Sequence, residues 1–256
     1  MKSFETFKQL HQGPTPFLLG NVWDVKSAQV FEANNYKAIG ISSQALSNAF
    51  GYDDGENLPF ELLLQLAKRV CKVASIPFSV DMEGGYSRTV QGILEKIDKL
   101  HDAGVVGINL EDTIPGEVRT FLPGNEFEKI LSAVADHISR NNLKLFLNIR
   151  TDGFLLGLPT ALSETLTRAR RYETAGADGI FVPCITNKND IKEVVEATSL
   201  PVNVMCMPNL PGFEELGELG VKRISMGPFL FNKAYENVAN LAKAINNDKS
   251  FTPLFA

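Results

Sequence analysis

The sequence predicts one (β/α)8 barrel, a TIM-type α/β fold, with residues 1–256 as a single domain. Three observations carry this. Eight short apolar runs alternate with eight stretches of helical period along the 256 residues, the order that builds parallel βαβ units. Three of the helical stretches end on the same punctuation, "DAGVVGI", "TAGADGI" and "ELGVKRI". Each places glycine where a helix stops at positive φ, directly before the next strand. No GxGxxG follows the first strand, which favours the barrel over a doubly wound open sheet.

The elements follow in order. "FLLGN" (17–21) is the first strand and ends at Asn21, with Trp23 and Asp24 before the helix "VKSAQVFEANN". "KAIGISS" (37–43) is the second, closing on Ser42 and Ser43, and a long loop then carries Asp53, Asp54 and Glu56. "PFELLLQLAKRVCKVA" leads to the third, "PFSVD" (77–81), which stops at Asp81 and is followed by Glu83 and two glycines. "TVQGILEKIDKLHDAG" leads to "VGINLED" (106–112), closing on Glu111 and Asp112. "NEFEKILSAVADHISRNN" precedes "LKLFLNIR" (143–150), which supplies Asn148, Arg150 and then Asp152. "SETLTRARRYETAG", "KNDIKEVVEAT" and "GFEELGELG" alternate with "DGIFVP", "PVNVM" and "KRISMG", whose ends give Pro183, Asn203 and Ser225. "FNKAYENVANLAKAIN" is the last helix. No linker or low-complexity stretch divides the chain.

Composition narrows the function classes. Thirty acids against 25 bases give a net charge of −5 with no basic block, which argues against a nucleic-acid partner. No apolar run reaches membrane-spanning length, and "MKSFETFKQLHQG" holds no signal-type core. A cytoplasmic, reduced protein is the expectation. Cys71, Cys184 and Cys206 form no CxxC pattern, so neither a disulfide framework nor a zinc site is expected. Cys184 lies nearest the mouth and reads as a small buried hydrophobe. His11, His101 and His137 lie away from every strand end and read as surface residues. A Ser–His–Asp triad or a His-ligated metal is therefore disfavoured.

Barrel enzymes carry their chemistry at the C-terminal ends of the strands. Asp81, Glu83 and Glu111 come from neighbouring strands and would converge at one mouth. Carboxylates packed together repel unless a cation sits among them, and hard oxygen donors without His or thiolate suit Mg2+ or Mn2+. For any single acid the competing reading is a solvated loop charge or a helix N-cap, which Asp112 fits well. Arg150, facing the same way as Asn148, would present a guanidinium to a carboxylate or phosphate. A structural ion pair with Glu111 or Asp81 is the alternative, and both can hold at once. "GISSQALSNAFG" could offer backbone N–H groups to a ligand carboxylate, or be an ordinary Ser-rich turn. "SMG" could serve as a small anion loop. Trp23 either lines the entrance or packs.

The segments "SNAFGYDDGE", "VDMEGGY", "INLED", "LNIRTDGFL", "GADGIFVPCIT" and "LGVKRISMGP" resemble the phosphoenolpyruvate mutase/isocitrate lyase superfamily, nearest its carboxyphosphonoenolpyruvate phosphonomutase-like branch. The resemblance runs from about Phe17 to the last helix. It implies Mg2+, a small anionic 2-oxo or 2-hydroxy acid substrate, and cleavage of a C–C or P–C bond through an enolpyruvate-like intermediate. It also implies a last helix exchanged between subunits of a homodimer or homotetramer. By motif, Asp81, Glu83 and Glu111 match the metal-site acids, with Asp54 an outer member beside Glu111 and Arg150 in the catalytic set. Ser42 and Ser43 match the segment that holds a substrate carboxylate, and Arg150 the arginine facing the substrate's anion. Trp23 and Asn203 complete the expected substrate-binding set.

One stretch departs from the family. Isocitrate and methylisocitrate lyases carry a Lys–(Lys or Arg)–Cys–Gly–His loop after the fourth strand, where this chain reads "EDTIPGEVRTFLPGNEFE". The acid and base of those lyases are missing. Phosphoenolpyruvate mutase has a Lys and an Asn in this loop and a His at the end of strand six. Here Asn125 is present, Arg119 could stand in as the loop cation, and strand six ends in Pro183. The expectation is a Mg2+-dependent lyase or decarboxylase of an oxaloacetate-like acid. The alternatives are phosphoenolpyruvate mutase or phosphonopyruvate hydrolase, and a barrel that binds a keto acid without turning it over.

Overall fold

The computed structural model describes residues 2–116 and 119–255. Eight parallel strands close in the order β1-β10-β9-β8-β7-β4-β3-β2. They are β1 (Phe17–Val22), β2 (Ala38–Ile41), β3 (Phe78–Asp81), β4 (Gly107–Glu111), β7 (Phe146–Arg150), β8 (Gly179–Val182), β9 (Val202–Met205) and β10 (Arg223–Ser225). Every expected strand is present. The helices α2 (Val25–Ala33), α4 (Phe60–Val73), α5 (Val90–Asp102), α6 (Gly124–Arg140), α7 (Ala161–Thr174), α8 (Lys188–Glu196), α9 (Phe213–Glu218) and α10 (Phe229–Asp248) follow the strands. The repeated helix-to-strand turn is real: Gly104, Gly176 and Gly220 sit at φ 101°, 97° and 91°, where a Cβ would be strained.

Strand alternation divides the side chains into two sets. Outward residues such as Val80, Ile108, Leu147, Ile180 and Val204 are buried aliphatics packed in the layer between barrel and helices. Inward residues are polar along the upper barrel: Asn21, Asp81, Asn109, Asn148, Asn203, Arg223 and Ser225 are all buried. Asn148 donates to Asn109 at 2.8 Å across the β4–β7 register pair. The polar interior is where the strand pattern leaves the usual barrel filling of branched aliphatics.

Three elements were not expected. Helix α1 (Lys2–Leu10) precedes β1 and closes the lower end of the barrel. Phe7 is fully buried, edge-on to Phe17 and Phe146 at 6.1 and 5.6 Å. Gly107 leaves the space Phe7 fills, since a Cβ there would lie 2.5 Å from the Phe7 ring. His11, expected on the surface, is 4% exposed and stacks on Phe146 at 4.0 Å. Burial, with the Arg223 charge adding, pushes its imidazole down to about 3, so it is neutral packing material. Helix α3 (Ser43–Ala49) occupies the segment read as a Ser-rich turn, and an antiparallel hairpin, β5 (Thr113–Ile114) with β6 (Thr120–Phe121), leaves the top of β4.

His101 and His137 lie on α5 and α6 in the outer layer. There His137 pairs with Asp98 at 2.7 Å and His101 accepts from the Lys144 N–H at 3.3 Å. Helix α10 is seated through Phe231 but leaves Tyr235, Val238 and Leu241 exposed, as are Phe251 and Phe255 after it. Ala256 lies outside the described residues. Among the described residues no helix is long and apolar enough to cross a membrane.

Candidate active site

The upper ends of the strands surround a cavity of about 270 Å3, smaller than the roughly 300–1,000 Å3 typical of drug-sized ligands. Its wall includes Asn21, Ser42, Ser43, Asp54, Asp81, Arg119, Arg150 and Arg223. A wider cleft of about 540 Å3 lies beside α1 at the opposite end, but its lining brings no charged groups to a common point. The chemistry is at the mouth.

Asp81 terminates β3 and is 7% exposed. One oxygen accepts from the Glu83 N–H at 3.2 Å and the other from Ser43 Oγ at 3.3 Å. Burial raises its proton affinity, and Arg150 opposes the rise. Ser42 caps α3, its Oγ accepting from the Ala45 N–H at 3.3 Å. The "GISSQALSNAFG" segment is thus a helix entrance rather than an open turn, with Ser42 and Ser43 still on the cavity wall.

Glu83 and Glu111 stand behind Asp81 and do not line the cavity. Glu83 itself sits at φ 50° and accepts from the Glu56 N–H at 2.8 Å and from Tyr86 OH at 3.2 Å. Burial, then Asp54, Glu111 and Asp81, push it up to about 9. Glu111 is gripped by Arg119 and lies 3.3 Å from Arg150. Burial pushes it up to about 8 against the pull of Arg150.

Arg150 ends β7 and is held by Asp152, Nε to Oδ1 at 2.7 Å and Nη2 to Oδ2 at 3.2 Å, with Asp81 at 3.9 Å. Burial alone would lower its pKa, but Asp152, Glu111 and Asp81 together raise it well above the ordinary value. Arg119, from the loop inside the hairpin, reaches Asp152 at 3.2 Å and Asp54 at 3.8 Å. It therefore does enter the site as the loop cation. Glu117 and Val118 of the same loop lie outside the described residues.

The remaining expectations sort by position. Trp23 packs edge-on to Phe231 of α10 at 5.4 Å and is not on the cavity wall. Asn203 is buried within the barrel, donating to Ser225 Oγ at 3.3 Å, and is likewise not on the wall. Asp112 is no loop charge or N-cap. It is buried and bound to Tyr172 OH at 2.6 Å and Arg168 at 3.2 Å, an ion pair that ties the hairpin root to α7. Cys184, read as a small buried hydrophobe, is only partly buried, and Cys206 is exposed. Asp152 and Arg223 are the site residues whose roles the sequence did not disclose.

The donor set can be tested against a divalent cation. Among the described residues, no three His, Cys, Asp or Glu side chains are placed to ligate one ion directly. The expected metal-site acids Asp81, Glu83 and Glu111 do lie together, but Glu83 and Glu111 stand behind Asp81 and carry protein partners of their own. Yet five carboxyls, Asp54, Asp81, Glu83, Glu111 and Asp152, gather around three guanidiniums, Arg119, Arg150 and, at the floor, Arg223, and Asp54 Oδ1 and Glu111 Oε2 are buried without hydrogen-bond partners. That excess of hard, buried carboxyl oxygen, whose raised proton affinity a cation would lower, fits Mg2+, which keeps several waters and binds through one or two carboxylates. Asp81 and Asp54 on the wall, with Glu83 and Glu111 behind them, are the residues that would hold it.

Residues 7–246 match the family described as phosphoenolpyruvate phosphomutase. An uncharacterized protein of Mycobacterium tuberculosis H37Rv is 33% identical over 246 residues, 94% of this chain and 89% of the relative. An oxaloacetate decarboxylase of Bradyrhizobium sp. BTAi1 is 27% identical over 214 residues, 80% of this chain and 70% of the relative. A crystal structure from Burkholderia cenocepacia J2315, provisionally named a phosphonomutase, superposes with a TM-score of 0.90 at 34% identity, covering 95% of this chain and 100% of that one.

Proposed function

The chain belongs to the phosphoenolpyruvate phosphomutase family, and from that premise we propose that it is a Mg2+-dependent lyase that decarboxylates a small oxaloacetate-like 2-oxo acid. The observation that carries this reading is the surplus of buried carboxylate around one small cavity, beside an arginine fixed at the end of β7. The oxaloacetate decarboxylase relative supports the substrate class. Bound Mg2+ would supply Lewis-acid stabilisation of charge developing on the ketone oxygen.

The chain's own residues do the rest. Arg150, locked in plane by Asp152, presents permanent positive charge to the reacting acid. Ser42 and Ser43 border the position of its carboxylate. Loss of CO2 breaks the bond between C3 and the departing carboxyl carbon. The electron pair moves toward the ketone, and C3 then takes a proton to give pyruvate. No protein base is needed to start this reaction, which suits a loop that lacks the lyase Cys, His and Lys.

The test is pyruvate release from oxaloacetate, phosphonopyruvate and 2-methylisocitrate, each with Mg2+ and with EDTA. Turnover of oxaloacetate that stops in EDTA is expected. Absence of metal-dependent turnover of all three rejects the substrate class, and tight oxalate binding without turnover would select a non-catalytic barrel. The Burkholderia relative and the presence of Arg119 favour a second reading, phosphonomutase chemistry. Conversion of phosphonopyruvate to phosphoenolpyruvate would select it over the decarboxylase.

The exposed apolar residues of α10 support a homo-oligomer in which this helix packs on a second copy, as the family resemblance implies. Light scattering should give at least a dimer, and Val238→Asp should shift it toward monomer. A monomeric wild type would remove the exchange of α10.

A further inference from the structure

The three guanidiniums on the cavity wall are in different states. Arg150 has Asp152 at 2.7 Å and Glu111 at 3.3 Å. Arg119 touches Glu111, Asp152 and Asp54. Arg223 makes no ion pair or hydrogen bond among the described residues. It is 1% exposed, and its Nε and Nη1 are sealed without a partner. Its guanidinium carbon is 6.0 Å from the ring of Phe7, the residue that plugs the barrel from below. Arg223 therefore lies between the plug and the cavity, and it forms the cavity floor.

A buried charge lacking a partner is costly, by several kcal/mol for an ion in a protein interior. Burial lowers the Arg223 guanidinium to about 9, which still leaves it charged at neutral pH. The Asp81 charge opposes that drop from beyond ion-pair distance, and among the described residues no carboxylate contacts the guanidinium. Asn21 spends its carbonyl oxygen on the N–H groups of Met226 and Gly227, at 2.6 and 3.2 Å, so only its NH2 is left to face the cavity. The floor thus offers donors and positive charge, while the carboxylates gather higher, at the mouth.

We propose that Arg223 is the base of an anion subsite and binds the carboxylate at the inner end of the substrate. The site would then select four-carbon diacids, which span mouth and floor, over shorter acids that reach only the mouth. This rests on the reading that the cavity holds a small 2-oxo acid.

The experiment is calorimetric titration of oxalate and of L-malate, both with Mg2+, into wild type, R223M and R223K. Wild type is expected to bind both. R223M should lose malate affinity by roughly 10- to 150-fold, the size of a hydrogen bond to a charged group, with oxalate changed less than about 3-fold. R223K should recover part of the malate affinity. Equal weakening of both acids, or unchanged malate binding, overturns the subsite and leaves Arg223 a structural residue. If wild type binds neither acid, the cavity reading itself falls and takes the subsite with it, a pattern distinct from the previous one. Should R223M not fold, R223K carries the comparison. A wild-type crystal soaked in malate should show a carboxylate oxygen on the guanidinium, and malate bound elsewhere, with only water there, would overturn the proposal.

Discussion

Replacing Asp81 by alanine is expected to lower the turnover number for oxaloacetate by at least about 10^3-fold, the scale of losing a main electrostatic element of a site, while the barrel stays folded. Of Asp81, Glu83 and Glu111, Asp81 is the acid that lies on the cavity wall beside Arg150. Its structural ties are slight: the Ser43 hydroxyl and the Glu83 N–H, at 3.3 and 3.2 Å. Its carboxylate is disfavoured by burial, so removing it relieves repulsion among the acids, and the variant should melt no lower than wild type at pH 8. Mg2+ should raise the melting temperature of wild type, because a ligand bound only to the native state stabilises it, and should not raise that of D81A. Unimpaired activity in D81A would remove the metal from the mechanism.

The barrel and the mouth acids were legible for one physical reason. Strand period fixes side-chain direction, and an acid at the end of a buried run has little to do but face the mouth. Asp81, Glu111 and Arg150 follow from that rule. Glu83 does not: its own backbone is at positive φ, so its direction was set by local backbone geometry rather than by alternation.

The missed elements share a different cause. The hairpin strands have two residues each, too few for a period to register. Helix α1 carries Phe4, Phe7 and Leu10 at three-residue spacing, a signal that was available but short. Arg223 was masked by Lys222 beside it, since two adjacent bases read as surface charge. Alternation separates them: Lys222 reaches the carbonyl of Gly13 at 3.0 Å, and Arg223 turns inward. Asp152 was visible as an acid, but its grip on both Arg150 and Arg119 depends on a loop conformation that spacing does not encode.

Replacing Arg150 by glutamine should be the most damaging substitution for both stability and activity. Removing one partner from a buried charge cluster leaves the others uncompensated, a loss of about 3–5 kcal/mol, and here Asp152, Glu111 and Asp81 all lose their shared cation. The sign of the pH dependence follows from linkage. Glu111 has its folded pKa near 8 against an ordinary 4.5, so between those values the native state holds more protons than the unfolded state. Stability from this group is full below about pH 4.5 and is lost as pH rises through about 8. Arg150 is the largest influence opposing that rise for both Glu111 and Asp81. Without it their proton affinities climb further, and the penalty at alkaline pH grows. Urea unfolding at pH 5 and pH 8 should therefore show a smaller deficit for R150Q at pH 5, where the carboxyls can protonate, than at pH 8. An equal deficit at the two values would mean that Arg150 acts through packing alone, and the electrostatic account of the mouth would have to be given up.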